Sequence, residues 1–251
     1  SMSMMAAEEF GIPVDRVRSV LADTHSLGYN RVTAGSRTTF SSGMIVVDAS
    51  RKIIAELKRR AAKIWGVPED AVDFSDGHCR PASSNVGNFE PLSMKDIASK
   101  TTYTMGAIAG HSEMNVTGAG PGFGLHIVDV KVDRETGVTR VLNVAAAHDS
   151  GTIVNPIGAE GQVEGGVVMG IGQALLEGNQ IADDGRMLGA GLLDYKLQTM
   201  SDIPPISIRF VGPPADNAGP MGAKTIAEPP SVFATASHVA TVGPCTRSKP
   251  A

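Results

Sequence analysis

The chain has 251 residues, 42% of them hydrophobic and 19% charged, with a net charge of −4. That length allows one large domain or two halves around a substantial core, and the mild acidity excludes a general attraction to nucleic acid or anionic membranes. No apolar run reaches the roughly 18 residues of a membrane-crossing helix, and Cys79 and Cys245 form no CxxC, so neither a disulfide framework nor an iron–sulfur or zinc site is expected. A cytoplasmic address is the default. Glycine is abundant at 29 residues and aromatics make up only 4%. This implies many points of close backbone approach or positive φ: either a loop-rich protein or a cofactor cradled by main chain.

The first elements form a weak repeat. "AAEEFGIPVDRVRSV" (6–20) and "AAKIWGVPEDAVDFS" (61–75) share AAxxxG[IV]PxDxV. Each reads as a helix end, a glycine stop, a proline turn and a short strand. Ile45, Ala49, Ile53, Leu57 and Ala61 recur every four residues and mark the second helix. Between the two units, 23–43 is rich in Gly, Ser and Thr without a lasting apolar period, which predicts a loop with a function. Residues 80–122 read as irregular. "LHIVDVKVD", "DRETG" and "VTRVLNVAAA" predict a hairpin with Val128, Val130 and Val132 on one face. "GQVEGGVVMGIGQALLEGN" predicts a helix from near Gln162 to near Gly178. Gly165, Gly166, Gly170 and Gly172 each cost it about 1 kcal/mol relative to alanine, which suggests that this helix touches a neighbouring backbone or a ligand closely.

Three places carry candidate chemistry. In "TAGSRTT" (33–39), small residues expose N–H groups beside Ser36, Arg37 and Thr38, donors that suit a phosphate or a pterin edge; a plain polar turn fits the same residues. Gln162 offers either a ligand-binding amide or a cap for the helix that follows it. Glu228 stands before Pro229 and Pro230, which force extended backbone and then open a helix. A carboxylate fixed at a helix N-terminus, with Lys224 four residues earlier, favours ionisation and could act as a general base. A helix-capping acid in a surface salt bridge is the competing reading. The six histidines show no HxH or HxxxH spacing, so no residue is expected to ligate a metal directly.

In this order, "AAEEFGIP", "TAGSRTTFSSG", "GAGPGFGLHIVDVKVDRETG", "HDSGTIVNPIGAEGQVEGGVVMGIGQALLE", "LLDYKLQTMSDIPPI" and "GAKTIAEPP" resemble the molybdopterin-binding subunit of the xanthine dehydrogenase and aldehyde oxidase family, in its second, C-terminal molybdenum-binding region. The resemblance implies an α+β fold over 1–238 in two halves, about 1–120 and 121–238, followed by an irregular tail at 239–251. It implies that Ala34, Gly35, Ser36, Arg37 and Thr38 line the molybdopterin, that Gln162 bonds the pterin or its nucleotide extension, and that Lys224 anchors the cofactor. Glu228 matches the catalytic glutamate. The implied activity is oxidative hydroxylation of an N-heterocycle, purine or aldehyde with water-derived oxygen held at molybdenum. The cofactor would be molybdenum–molybdopterin in its cytosine dinucleotide form, with [2Fe–2S] and FAD on partner chains. The family's first molybdenum-binding half is missing, and "ATVGPCTRSKPA" after His238 departs from its pattern. This leads to the expectation of a truncated chain or split subunit that works only with a companion half. The alternatives are a non-catalytic remnant that keeps the fold and a glycine-rich protein binding some other nucleotide.

Overall fold

The structure is a computed structural model that describes residues 1–21, 23, 25, 32–104, 106–116, 120–214 and 219–232. The expected tail at 239–251 and part of the segment 23–43 lie outside the described residues. The chain divides into two compact units: Ser1–Thr33, Arg37–Gly118 and Gly219–Met221 form one, and Ala34–Ser36, Ala119–Ala218 and Gly222–Ala251 the other.

In the first unit, helix α1 (Met2–Phe10) packs on the long helix α2 (Thr38–Trp65). Helix α2 starts earlier than its apolar period suggested, inside the presumed loop, because Phe40 and Gly43 already face the core. A Cβ at Gly43 would stand 2.7 Å from the Met5 sulfur, so the two helices meet where one lacks a side chain. Both copies of the repeat stop as expected, on Gly11 (φ 61°) and Gly66 (φ 71°), each in the left-handed conformation that glycine adopts without a Cβ clash. A one-turn 3-10 helix follows each, Val14–Arg16 and Glu69–Ala71. Only the second copy then forms its strand, β1 (Val72–Ser75); after the first, Val17 is extended and joins no ladder among the described residues.

Strands β1, β2 (His78–Pro81) and β3 (Leu92–Ser93) make an antiparallel sheet. Helices α3 (Met94–Ser99) and α4 (Thr101–Thr104) follow, α3 closed at its start by a Ser93–Asp96 capping box. The core joins Leu57, Ala61 and Ala62 of α2 to Val72, Cys79 and Ile97. Burial pushes the Cys79 thiol up to about 11, so this cysteine is a packing residue and not a nucleophile. The Arg60 guanidinium is buried. It pairs with Glu56 at 2.6 Å and donates to the carbonyls of Gly106 and Ala107, tying that loop to α2.

The second unit contains the predicted hairpin, β4 (Phe123–Val132) and β5 (Thr139–Asp149). Its pairing shifts register between Asp129 and Val130, leaving Leu142 unpaired on β5. A third strand, β6 (Ile206–Phe210), lies parallel to β5 and was not foreseen, although "ISIRF" alternates apolar and polar. Parallel strands need a crossover, and α5 (Pro156–Leu175) lies within it. Val144 and Ala146 of β5 meet Val163, Val167 and Ile171 of α5, with Ile206, Ile208, Phe210 and Ile226 packed around them. Helix α5 begins six residues before Gln162, because Asn155 caps it by accepting from the Gly158 N–H and Pro156 fills its first position. Capping is therefore excluded as the role of Gln162.

Candidate functional site

The segment Gly222–Ile226 is fastened from both sides. Thr152 N–H donates to Gly222 O, Lys224 N–H to Ser150 O and Thr225 N–H to Gly120 O, and Gly151 bridges Ala223. Thr225 also donates its hydroxyl to Gly120 O. A Cβ on Gly122 would stand 2.8 Å from the Thr225 carbonyl, so the threading needs a bare backbone there. This strap delivers Glu228 to the head of a helical turn at 229–232.

Glu228 is held at both ends. Its Oε1 accepts the Gly35 N–H at 2.9 Å, and its own N–H donates to the Ser36 hydroxyl at 2.7 Å. The carbonyl of Glu228 accepts from both the N–H and the hydroxyl of Ser231. Its second carboxylate oxygen accepts no hydrogen bond from the described residues, and the residue is exposed. Gly35 (φ 67°) and Ser36 (φ 55°) lie consecutively in the left-handed region. For Ser36 that conformation is strained and is maintained by its surroundings. The fold thus brings Gly35, Ser36 and Glu228 together. Ala34 is exposed in the same turn. Arg37 and Thr38 belong to the first unit, where Arg37 donates from Nε to Ser41 Oγ and Thr38 opens α2.

Lys224 does not serve Glu228. Its Nζ stands 2.7 Å from Asp149 Oδ2, both side chains being largely buried, and this bond holds the Asp149 carboxyl below its usual range. Asp149 was not singled out in the sequence, although "HDSG" at the end of a predicted strand marks it. The neighbouring Ser150 hydroxyl is buried without a hydrogen-bond partner among the described residues. Behind them, His126 and His148 form a buried pair with their Nε2 atoms 2.7 Å apart. Burial and the neighbouring imidazole push His126 down to about 4, and burial lowers His148 as well. The six histidines are scattered in sequence, but these two flank the Gly137 turn symmetrically; the hairpin register was the available signal.

Gln162 is exposed in the second turn of α5. Gly161 and Gly165 beside it would meet nothing within 4 Å if given a Cβ, leaving open backbone around the amide. One turn on, Gly166 is the close approach that its composition suggested: a Cβ there would lie 2.7 Å from the Pro230 Cβ and 3.2 Å from the Ser231 nitrogen. Helix α5 thereby packs directly on the turn that carries Glu228.

Around Glu228, Lys224 and Gln162 the polar groups are a carboxylate, an ammonium, an amide, a hydroxyl and backbone groups, and the described residues contain no group of three or more His, Cys, Asp or Glu that could hold a metal ion. Such a set suits a group that brings its own metal ligands and is held by hydrogen bonds. The unpartnered Ser150 hydroxyl and the open backbone at Gly161 and Gly165 fit the same requirement.

Residues 1–204 match the family described as molybdopterin cofactor-binding domain, and the chain belongs to it. It is 34% identical over 243 residues to the putative xanthine dehydrogenase molybdenum-binding subunit XdhA of Escherichia coli K12, covering 92% of this chain and 31% of that protein. It is 30% identical to the carbon monoxide dehydrogenase large chain of Hydrogenophaga pseudoflava, over 96% of this chain and 30% of that one. Among solved structures it superposes on the Cu,Mo-CO dehydrogenase with a TM-score of 0.84 and 25% identity, covering 96% of this chain and 31% of that chain. The quinoline 2-oxidoreductase of Pseudomonas putida 86 shares the fold at a TM-score of 0.84 and 23% identity. The chain therefore spans about a third of the length of the Escherichia coli and Hydrogenophaga pseudoflava relatives. Lys224 and Glu228 lie beyond the residues that the family description matches.

Proposed function

We propose that this chain supplies the second molybdenum-binding region of a molybdenum hydroxylase and works when completed by a companion molybdenum-binding half and by chains carrying [2Fe–2S] and FAD. The observation that carries the reading is the double tether of Glu228 to Gly35 and Ser36. When bound, the molybdenum–molybdopterin group, in its cytosine dinucleotide form, supplies the two-electron oxidation.

The chain's own residues then have separable tasks. Gly35 N–H fixes Oε1 of Glu228, so the other carboxylate oxygen keeps one direction and is free to accept a proton as water-derived oxygen is transferred to the substrate carbon. Ser36 fixes the backbone of the same residue. The Gln162 amide, on open helix backbone, bonds the polar edge of the cofactor. Of the three donors of Lys224, one is used by Asp149, and the others are available to the cofactor. Ala34 completes the lining from the same turn as Gly35 and Ser36. The substrate class is an N-heterocycle, purine or aldehyde, and the setting is cytoplasmic; no described helix is long and apolar enough to cross a membrane.

Glu228→Gln keeps the shape and the acceptor for Gly35 but cannot take a proton. In the assembled enzyme, turnover is expected to fall about 100- to 10,000-fold, the range of general-base catalysis, with molybdenum content unchanged by elemental analysis. Unchanged turnover would remove Glu228 from the chemistry. Loss of molybdenum would make it a binding residue.

A further inference from the structure

The strap that carries Glu228 rests on the turn after β5, and one side chain holds both. Three fastenings of the strap run to residues 150–152: Gly222 O accepts from Thr152, Ala223 bridges Gly151, and the Lys224 N–H donates to Ser150 O. The fit there has no slack, since Gly151 takes a left-handed φ of 63° and a Cβ on it would run into the Gly222 carbonyl. Asp149, the last residue of β5, grips this turn and the strap at once. Its Oδ1 accepts the Gly151 N–H at 3.2 Å, and its Oδ2 accepts from Lys224 Nζ at 2.7 Å. From another side the chain beyond β6 closes in: Val211 N–H donates to His148 O, and a Cβ on Gly212 would stand 2.6 Å from Asp149 Cγ. The carboxylate is therefore confined. The side chains of Lys224 and Asp149 are 13% and 19% exposed, so removing either charge would leave the other largely buried and unmatched.

We propose that Asp149 is a positioning residue for the base: it locks the strap to the end of β5 and so fixes where Glu228 stands, without touching the reacting atoms. The inference rests on the reading of Glu228 given above and adds a second support for that residue, beside its tether to Gly35 and Ser36. Between Lys224 and Glu228 the chain has little freedom. Thr225 is bonded to Gly120 O through both its N–H and its hydroxyl, and Ile226 packs against the core that contains Val144 and Val167. Pro229 narrows the backbone of Glu228 itself. A displacement at Lys224 therefore passes through Thr225, Ile226 and Ala227 to the carboxylate instead of being absorbed on the way. An amide cannot stand in for Asp149. Asparagine offers one oxygen and one NH2 group, so either the Gly151 N–H or the Lys224 ammonium would face a donor. A donor left without an acceptor in so enclosed a place carries its full desolvation cost, and the strap relieves that cost by moving.

The test is a double-mutant cycle in the assembled enzyme. Asp149→Asn should lower kcat about 10- to 100-fold, the cost of misplacing a reacting group by about 1 Å, with KM and molybdenum content unchanged. Combined with Glu228→Gln it should cost nothing further, because a residue that acts only through the base then has nothing left to act on. An equal loss in both backgrounds would make Asp149 a folding residue, and an unchanged kcat in Asp149→Asn alone would end its role; either overturns the proposal. Hydrogen exchange gives a readout free of turnover. In Asp149→Asn the Gly35 amide, which Glu228 holds, should exchange about 10-fold faster while the amides of β5 keep their rates. Uniform acceleration, or no change at Gly35, overturns the proposal. If Glu228→Gln leaves turnover intact, the functional reading fails, and exchange at Gly35 then decides by itself whether Asp149 holds the strap. Should Asp149→Asn fail to assemble, Gly212→Ala takes its place with the same expected signature, since its Cβ would crowd the carboxylate and leave the charge.

Discussion

At the scale of single residues, the candidate site rests on two short hydrogen bonds that a reading of the sequence could not supply. Glu228 could be selected because Pro229 and Pro230 constrain it, and Ser36 because small polar residues surround it. That these two find each other across 192 positions is a property of the fold. The same distance explains the error over Lys224: proximity in sequence favoured a pairing with Glu228, while the strap turns the ammonium toward Asp149. The His126–His148 pair yields a pH prediction. The imidazole pKa of His126 is depressed in the folded state to about 4, from an ordinary 6.5. The unfolded chain therefore binds more protons between those values, and stability is retained above about 6.5 and lost as pH falls toward 4. The expected slope is about 1.4 kcal/mol per pH unit for this one histidine, measured by denaturant titration of the assembled protein. His126→Phe should flatten that slope; an unchanged slope would place the acid sensitivity elsewhere.

At the scale of elements, the repeat, the two glycine stops and the β4–β5 hairpin were legible because each is a local rule. The start of α5 is set by Asn155–Pro156, a stronger signal than the glycines of "GQVEGG" that mark the predicted helix. Strand β6 was missed because a parallel edge strand gains its partner only through the crossover helix. Glycine content alone could not say which residue makes the contact. A Cβ on Gly166 would stand 2.7 Å from Pro230, whereas one on Gly165 would meet nothing within 4 Å. Gly165→Ala is therefore expected to stabilise α5 by about 1 kcal/mol and to leave the Glu228 turn in place. Gly166→Ala should displace the Glu228 turn and reduce turnover at least 10-fold despite the same gain in helix propensity. Turnover and thermal unfolding of the two variants, measured side by side, check the contrast. Equal behaviour would mean that the helix and the Glu228 turn move independently.

At the scale of the whole molecule, the α+β class and the family were legible from six ordered segments, but the placement of the site residues was not. Ala34 to Ser36 fall in a different unit from Arg37 and Thr38, although the five are consecutive. The chain matches about a third of relatives named as large chains or molybdenum-binding subunits, which frames one further expectation. In native extract, molybdenum should elute with this chain at a mass well above its own 26.0 kDa, in stoichiometric amount by elemental analysis of the fractions. Elution as a lone chain without metal would leave a folded remnant.

The bond between Gly35 and Glu228 spans 193 positions of sequence, whereas the hairpin, α5 and β6 are joined by far shorter connections. During synthesis the sheet and its helix can thus be complete before Glu228 leaves the ribosome. Glu228 is synthesised after every strand of the sheet, so its tether to Gly35 can close only once those strands exist. A chain released just short of that residue would have every strand of the sheet and would lack the proposed base, so completion of this tether is separable from completion of the sheet.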